Sequence, residues 1–318
     1  MIQEFAAIQN SAPTRTTTRS ALLAIGVGGL VAATLDLLQA CILFGHDIIL
    51  VISYGLVGEK ALKGGAGYYA LGVLLHVIIS LIFATFYYAV SRKLKFMTEY
   101  PLVCGLCFGA GVHLVMMLIV LPLSALHNRA PLTIHDMIHD LLVHMVVFGL
   151  PVAYGVRWFA KQTPIQTSAP ARTTTRNALL AIGVGGLVGA TLDLLQACML
   201  LGHDIILVIA YGLVGEKALK GGVGYYSLGI LLHVLISLIF ATFYYAVSRK
   251  LRFMTEYPLV CGLCFGAGVH LVMMLIVLPL CAFHQTDPIT IRGMIHGLLI
   301  HMVVFGLPVA YGVRRFAR

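Results

Sequence analysis

The sequence predicts an all-α polytopic membrane protein with eight transmembrane helices, set out as two parallel four-helix repeats with short interfacial or re-entrant helices. Three observations predict it. Of 318 residues, 60% are hydrophobic and only 10% charged, and the mean hydropathy is +0.96; a soluble domain has no use for so much apolar surface. Polar breaks divide the chain into apolar runs close to the roughly 20 residues that cross a bilayer as a helix. A shift of 157 residues lays the chain on itself without a gap, giving 130 identities over 154 positions between Ile8–Lys161 and Ile165–Arg318.

The elements follow in order. Residues 1–20 form a polar tail with no apolar stretch of the kind a cleavable signal peptide needs. Repeat 1 occupies 21–158, with spans at Ala21–Gly45, Gly67–Val90, Pro101–Leu123 and Ile134–Val156. Between its first two spans lies HDIILVISYGLVGEKALKGG. Its apolar part, about a dozen residues, is too short to span and suits a re-entrant or interfacial helix. Residues 159–177 are a polar, proline-containing cytoplasmic linker, and 178–318 repeat the four spans. A period this long means duplicated domains, not a solenoid. Of the 24 differences between the repeats, ten fall in Ser124–Val143 and one in Ile79–Leu123, so the former stretch reads as a tolerant outer loop.

The net charge of +9 does not point to nucleic acid, because the basic residues punctuate apolar runs and form no patch. With four spans per repeat, fifteen Lys and Arg fall on one side, among them Arg92, Lys93, Lys95, Arg157, Arg249 and Arg314. Six fall on the other: Lys60, Lys63, Arg129, Lys217, Lys220 and Arg292. That bias makes both termini cytoplasmic and both repeats parallel, as in a dimer fused into one chain.

Within the spans one carboxylate stands out: Asp36 in GGLVAATLDLLQA, repeated as Asp193 in GGLVGATLDLLQA. At about 1.5 Å of rise per residue, Asp36 lies roughly 22 Å from the cytoplasmic end, His76 roughly 24 Å, His113 roughly 18 Å and His144 roughly 20 Å. Four ionisable groups on four helices thus share one layer, copied as Asp193, His233, His270 and His301. Stripes of small residues lead to three of them: Gly29, Ala32 and Ala33 to Asp36; Gly72, Ser80 and Ala84 around His76; Gly105 and Gly109 to His113. Membrane helices approach one another along such stripes, so these polar groups should face the bundle interior. Pro151 should kink the fourth span beside His144.

An intramembrane ionisable residue is a functional hypothesis by default, and four readings of the layer stay open. It is a neutralised contact that merely locks helices, a relay for a proton or small solute, a b-type haem site with His76 and His113 (and His233 and His270) as axial ligands, or a transition-metal site of the three histidines. No cofactor and no resident metal is the leading expectation.

The other motifs read as structure. Cys104 and Cys107 in CGLC, with Cys261 and Cys264, lie in apolar surroundings and suit helix packing. His135, Asp136, His139 and Asp140 have metal-like spacing but become Arg292, Gly293, His296 and Gly297 in the second repeat. They are read as a polar outer helix start that has drifted. His46 and Asp47 should cap the short helix, and Tyr68, Tyr69, Tyr87 and Tyr88 should form an aromatic belt. No Walker loop, dinucleotide fingerprint, GxSxG elbow or HExxH occurs, which argues against a nucleotide-driven pump or a soluble-type hydrolase and leaves a redox role open.

The second half of each repeat, HVIISLIFATFYYAVSRKL, GLCFGAGVHLVMMLIVLPLSAL and HMVVFGLPVAYGVR, resembles the YagU-like bacterial inner-membrane proteins. His76, Ser80, Pro122 and His144 are the matching positions, with His113 displaced by about a turn. The resemblance covers about Leu74–Arg157 and leaves Asp36 outside. It implies a four-span inner-membrane protein linked to acid tolerance, from which the duplication here departs. The sequence thus points to a non-enzymatic, proton-responsive membrane protein, partnered by the lipid bilayer and by its own second repeat.

Overall fold

A computed structural model describes residues 18–127, 133–159, 174–282 and 290–316; the tail 1–17, most of the linker and the Arg129 loop position lie outside them. Helix dominates, and no strand occurs among the described residues. The chain is an all-α, multi-pass membrane protein, with eight helices long and apolar enough to cross a bilayer. Contacts divide it into two units, Met1–Thr167 and Ser168–Arg318.

In the first unit α1 (Thr18–Phe44) is a single uninterrupted span. The short α2 (Ile48–Val57) follows and ends in a 3-10 turn, Gly58–Lys63. Then come α3 (Ala66–Ser91), the one-turn α4 (Phe96–Glu99), α5 (Pro101–Leu123) and α6 (Ile134–Phe159). The second unit repeats the order: α7 (Thr175–Leu201), α8 (Ile205–Val214), α9 (Val223–Ser248), α10 (Phe253–Glu256), α11 (Pro258–Leu280) and α12 (Ile291–Phe316). Each span holds many exposed large apolar residues, Leu30, Ile82, Ile119 and Leu142 among them. A helix surface of that kind is solvated by lipid tails.

Without a hydrophobic drive between helices in lipid, close backbone approach carries the packing. A Cβ on Gly155 would stand 2.7 Å from the Gly28 Cα, which joins α6 to α1. A Cβ on Gly109 would lie 2.1 Å from the His144 carbonyl oxygen, and one on Gly149 the same distance from that of Gly105. Helices α5 and α6 therefore meet backbone to backbone, with Phe108, Phe148 and Phe83 clustered beside the contact.

The short α2 lies against α3, where a Cβ on Gly72 would come 2.2 Å from the Ile49 carbonyl oxygen. The Ser53 hydroxyl donates to the Tyr68 carbonyl at the same contact. Asp47 sits at the N-terminus of α2, but its side chain makes no cap hydrogen bond. Its carboxylate instead accepts from the Tyr69 hydroxyl at 2.5 Å, and Asp204 does the same with Tyr226 at 2.7 Å. The expected cap is replaced by a tie between α2 and α3, because helical backbone angles at Asp47 turn the carboxylate away from the first-turn N–H groups. The expected aromatic belt also loses a member. Tyr87 is completely buried, donating to the Met97 carbonyl at 3.0 Å and packing edge-on against Phe108.

Both α5 and α6 widen into a π-helical stretch, Met116–Val120 and His144–Gly149. Pro122 and Pro151 follow them. A helical proline lacks the N–H for the carbonyl four residues back and crowds it. Those carbonyls belong to Leu118 and Val147, inside the widened turns. The expected disturbance at Pro151 thus takes the form of a π-bulge, a local widening often found at functional sites.

Candidate functional site

The layer forms as two adjoining groups. Across α1 and α3, Asp36 Oδ2 lies 3.6 Å from His76 Nε2, and both side chains are largely buried. The same ring nitrogen donates to the Ala33 carbonyl at 3.0 Å, which fixes the proton on Nε2 in the neutral ring. Gly29, where a Cβ would meet Leu81 and Ala84, and the buried Ala33 let α3 come near enough for that bond. The Ser80 hydroxyl donates to the His76 carbonyl one turn on.

Across α5 and α6 the second group contains a residue that the sequence reading set aside. His113 is 1% exposed and donates from Nδ1 to Asp140 Oδ2 at 2.8 Å. His144 Nδ1 donates to the Asp140 backbone carbonyl at 2.8 Å and lies 3.4 Å from its Oδ1. The two imidazoles stand 5.7 Å apart, centroid to centroid. Asp140 is therefore no drifted outer residue in this unit: it lies between the two histidines. The signal that finds it is its four-residue spacing from His144, which puts both on one helix face. Only part of the HDxxHD cluster is an outer helix start. The Thr133 hydroxyl accepts from the Asp136 backbone N–H and caps α6, while the His135 and Asp136 side chains are exposed.

Between the groups lies a cavity of about 430 Å³. Asp36, His76, Asp140 and His144 all line it, together with Ser80 and an apolar remainder that includes Phe83 and Phe148. His113 stands behind Asp140 and His144. The ring facing His113 is that of His144, and His76 is engaged by Ala33 and Asp36. In the CGLC motif Cys104 is buried with its thiol 3.8 Å from the Phe96 carbonyl, and the described cysteines form no disulfide.

The second unit keeps the first group and alters the second. Asp193 Oδ2 lies 3.8 Å from His233 Nε2, which again donates to a helix carbonyl, that of Ala190, at 3.0 Å. His270 and His301 remain neighbours at 5.2 Å, and His301 donates to the Gly297 carbonyl at 2.8 Å. Gly297 supplies no carboxylate. The His270 ring has moved into the space beside it, since a Cβ there would meet His270 Cε1 at 2.6 Å. Among the described residues neither ring nitrogen of His270 has a hydrogen-bond partner, although both are buried.

No protein-family model, no curated protein and no solved structure matches the chain.

Proposed function

We propose that this multi-pass membrane protein handles a proton together with a small solute, through the Asp–His pair buried between the first two spans of each unit. The observation that carries the reading is the position of Asp36 and His76, 3.6 Å apart on the wall of a mostly apolar cavity inside the membrane-crossing part of the bundle. A carboxylate and an imidazole at ion-pair distance can exchange one proton after a small side-chain movement. The cavity gives an uncharged or singly charged solute of a few heavy atoms a place beside that proton. The resemblance to YagU-like proteins, with its link to acid tolerance, supports this reading and a bacterial inner-membrane location. The excess of Lys and Arg on one side of the spans supports cytoplasmic termini.

The test is flux in liposomes holding the full-length protein and a trapped pH indicator. Acidifying the outside should drive proton entry, which Asp36→Asn with Asp193→Asn should cut by at least about tenfold. Unchanged flux in the double variant would sink the proposal. One observation favours a second reading, a purely structural clamp: His76 also donates to Ala33, tying α3 to α1. The clamp predicts no flux in the wild-type protein and a lower unfolding temperature in the same double variant.

A further inference from the structure

The groups on α5 and α6 differ between units in a way the proton reading does not use. His113, Asp140 and His144 can each offer one ligand atom, and those atoms all lie within 4.8 Å of one another. In a tetrahedral site with bonds of about 2.0–2.1 Å, ligand atoms stand about 3.4 Å apart. Small side-chain rotations would therefore close the trio on an ion. Two imidazoles and one carboxylate suit a first-row divalent transition metal and not Mg²⁺ or Ca²⁺, which prefer all-oxygen ligands.

Three further features belong to a metal site. The cavity reaches Asp140 and His144, which provides a route in and room for water in the remaining coordination positions. The π-bulge begins at His144, at the point where α6 meets α5 through Gly109 and Gly149, so the trio rests on rigid helices pressed together. Among the described residues, His113 Nε2 is buried without a hydrogen-bond partner. With Nδ1 donating to Asp140, that nitrogen carries the ring's unengaged lone pair, the form of imidazole that a metal binds.

We propose that His113, Asp140 and His144 bind one divalent transition-metal ion of the Zn²⁺ class, and that the second unit has lost the site through Gly297. His270 and His301 are still adjacent there, but two imidazoles without the carboxylate leave the ion one ligand short. The chain thus carries one metal-binding unit and one that is metal-free. The site shares no residue with the Asp36–His76 pair, so metal binding and proton flux can fail separately.

The experiment measures Zn²⁺ stoichiometry by equilibrium dialysis of the untagged full-length protein in detergent, with Co²⁺ absorption as a second probe of ligand type. The wild-type protein should bind one ion at high affinity. Asp140→Gly, which installs the residue found at Gly297, should bind none. Gly297→Asp should raise the count to two, after the His270 ring swings back to the position that His113 holds in the first unit. That gain cannot come from misfolding, so it protects the test against a variant that merely fails to fold. A wild-type count of zero would overturn the proposal, as would a count of two or equal binding by Asp140→Gly. Failure of Gly297→Asp to add an ion in folded protein would overturn the account of the second unit. Asp36→Asn with Asp193→Asn should leave the Zn²⁺ count at one, whatever it does to flux.

Discussion

Ser53 and Ala210 occupy the same place in the two units, and the pair is a natural substitution experiment. Both are completely buried against the following span. The Ser53 hydroxyl donates to the Tyr68 carbonyl, whereas Ala210 has no hydroxyl and its helix keeps the same bounds relative to the repeat. Ser53→Ala should therefore cost less than about 1 kcal/mol, read as a small shift in thermal unfolding in detergent; a large loss would mean that the two units pack this contact differently. The same comparison cannot be made at Asp140, where the partner in the second unit is glycine and the neighbouring ring has moved. A buried imidazole with both nitrogens unpaired costs about 1–3 kcal/mol for each group left unsatisfied. The loss of one carboxylate thus altered its neighbour as well as itself. That Asp36 and His76 share a depth and face the bundle interior was legible from the chain, through helical rise and stripes of small residues, although their pairing was not. Asp140 was not, since its absence from the second repeat looked like drift.

At the scale of helices, glycine decides how near two spans can lie. Gly109 and Gly111 are two residues apart on α5 and should respond oppositely to a methyl group. A Cβ at Gly109 would press 2.1 Å from a backbone oxygen of α6, while no atom of the described residues lies within 4 Å of one at Gly111. Gly109→Ala should destabilise by about 1–3 kcal/mol or more, since backbone cannot rotate out of the way as a side chain can. Gly111→Ala should be neutral or stabilise by up to about 1 kcal/mol through helix propensity. Equal responses of the two variants in a detergent unfolding series would mean that α5 and α6 do not pack as described. Because the first contact also holds His113 against Asp140 and His144, Gly109→Ala should weaken Zn²⁺ binding even in protein that stays folded. The prolines belong to this scale too. Pro151 announced a disturbance of the last span, but its form, a π-bulge opening at His144, depended on the α5 backbone pressing on α6 at Gly149.

For the whole molecule, hydropathy and the spacing of charges carry most of the argument. Basic residues gather at the turns after the second span of each unit, Arg92–Lys95 and Arg249–Arg252. Single cysteines at Lys93 and Lys250, in a background with the native cysteines replaced, should both react with an impermeant thiol reagent from the cytoplasmic side. A cysteine at Lys60 should react only from the opposite side. Labelling of Lys93→Cys and Lys250→Cys from different sides would reverse the orientation of one unit and undo the charge-based topology.

The sequence by itself determined that the chain is all helical, that eight of its helices cross a membrane, and that α2 and α8 are too short to do so. Those properties depend on composition and run length, and a bilayer imposes both on any segment that crosses it. The repeat was equally open to reading, as was the expectation of a common depth for Asp36, His76, His113 and His144, because helical rise converts position into height. Only the tertiary structure decided who meets whom at that height. Rotation about each helix axis and the width of a π-bulge are set by side chains of neighbouring helices, which no single run of residues contains. That is why Asp36 is found with His76, why His113 turns to Asp140, and why the second unit, one carboxylate poorer, leaves His270 without a partner.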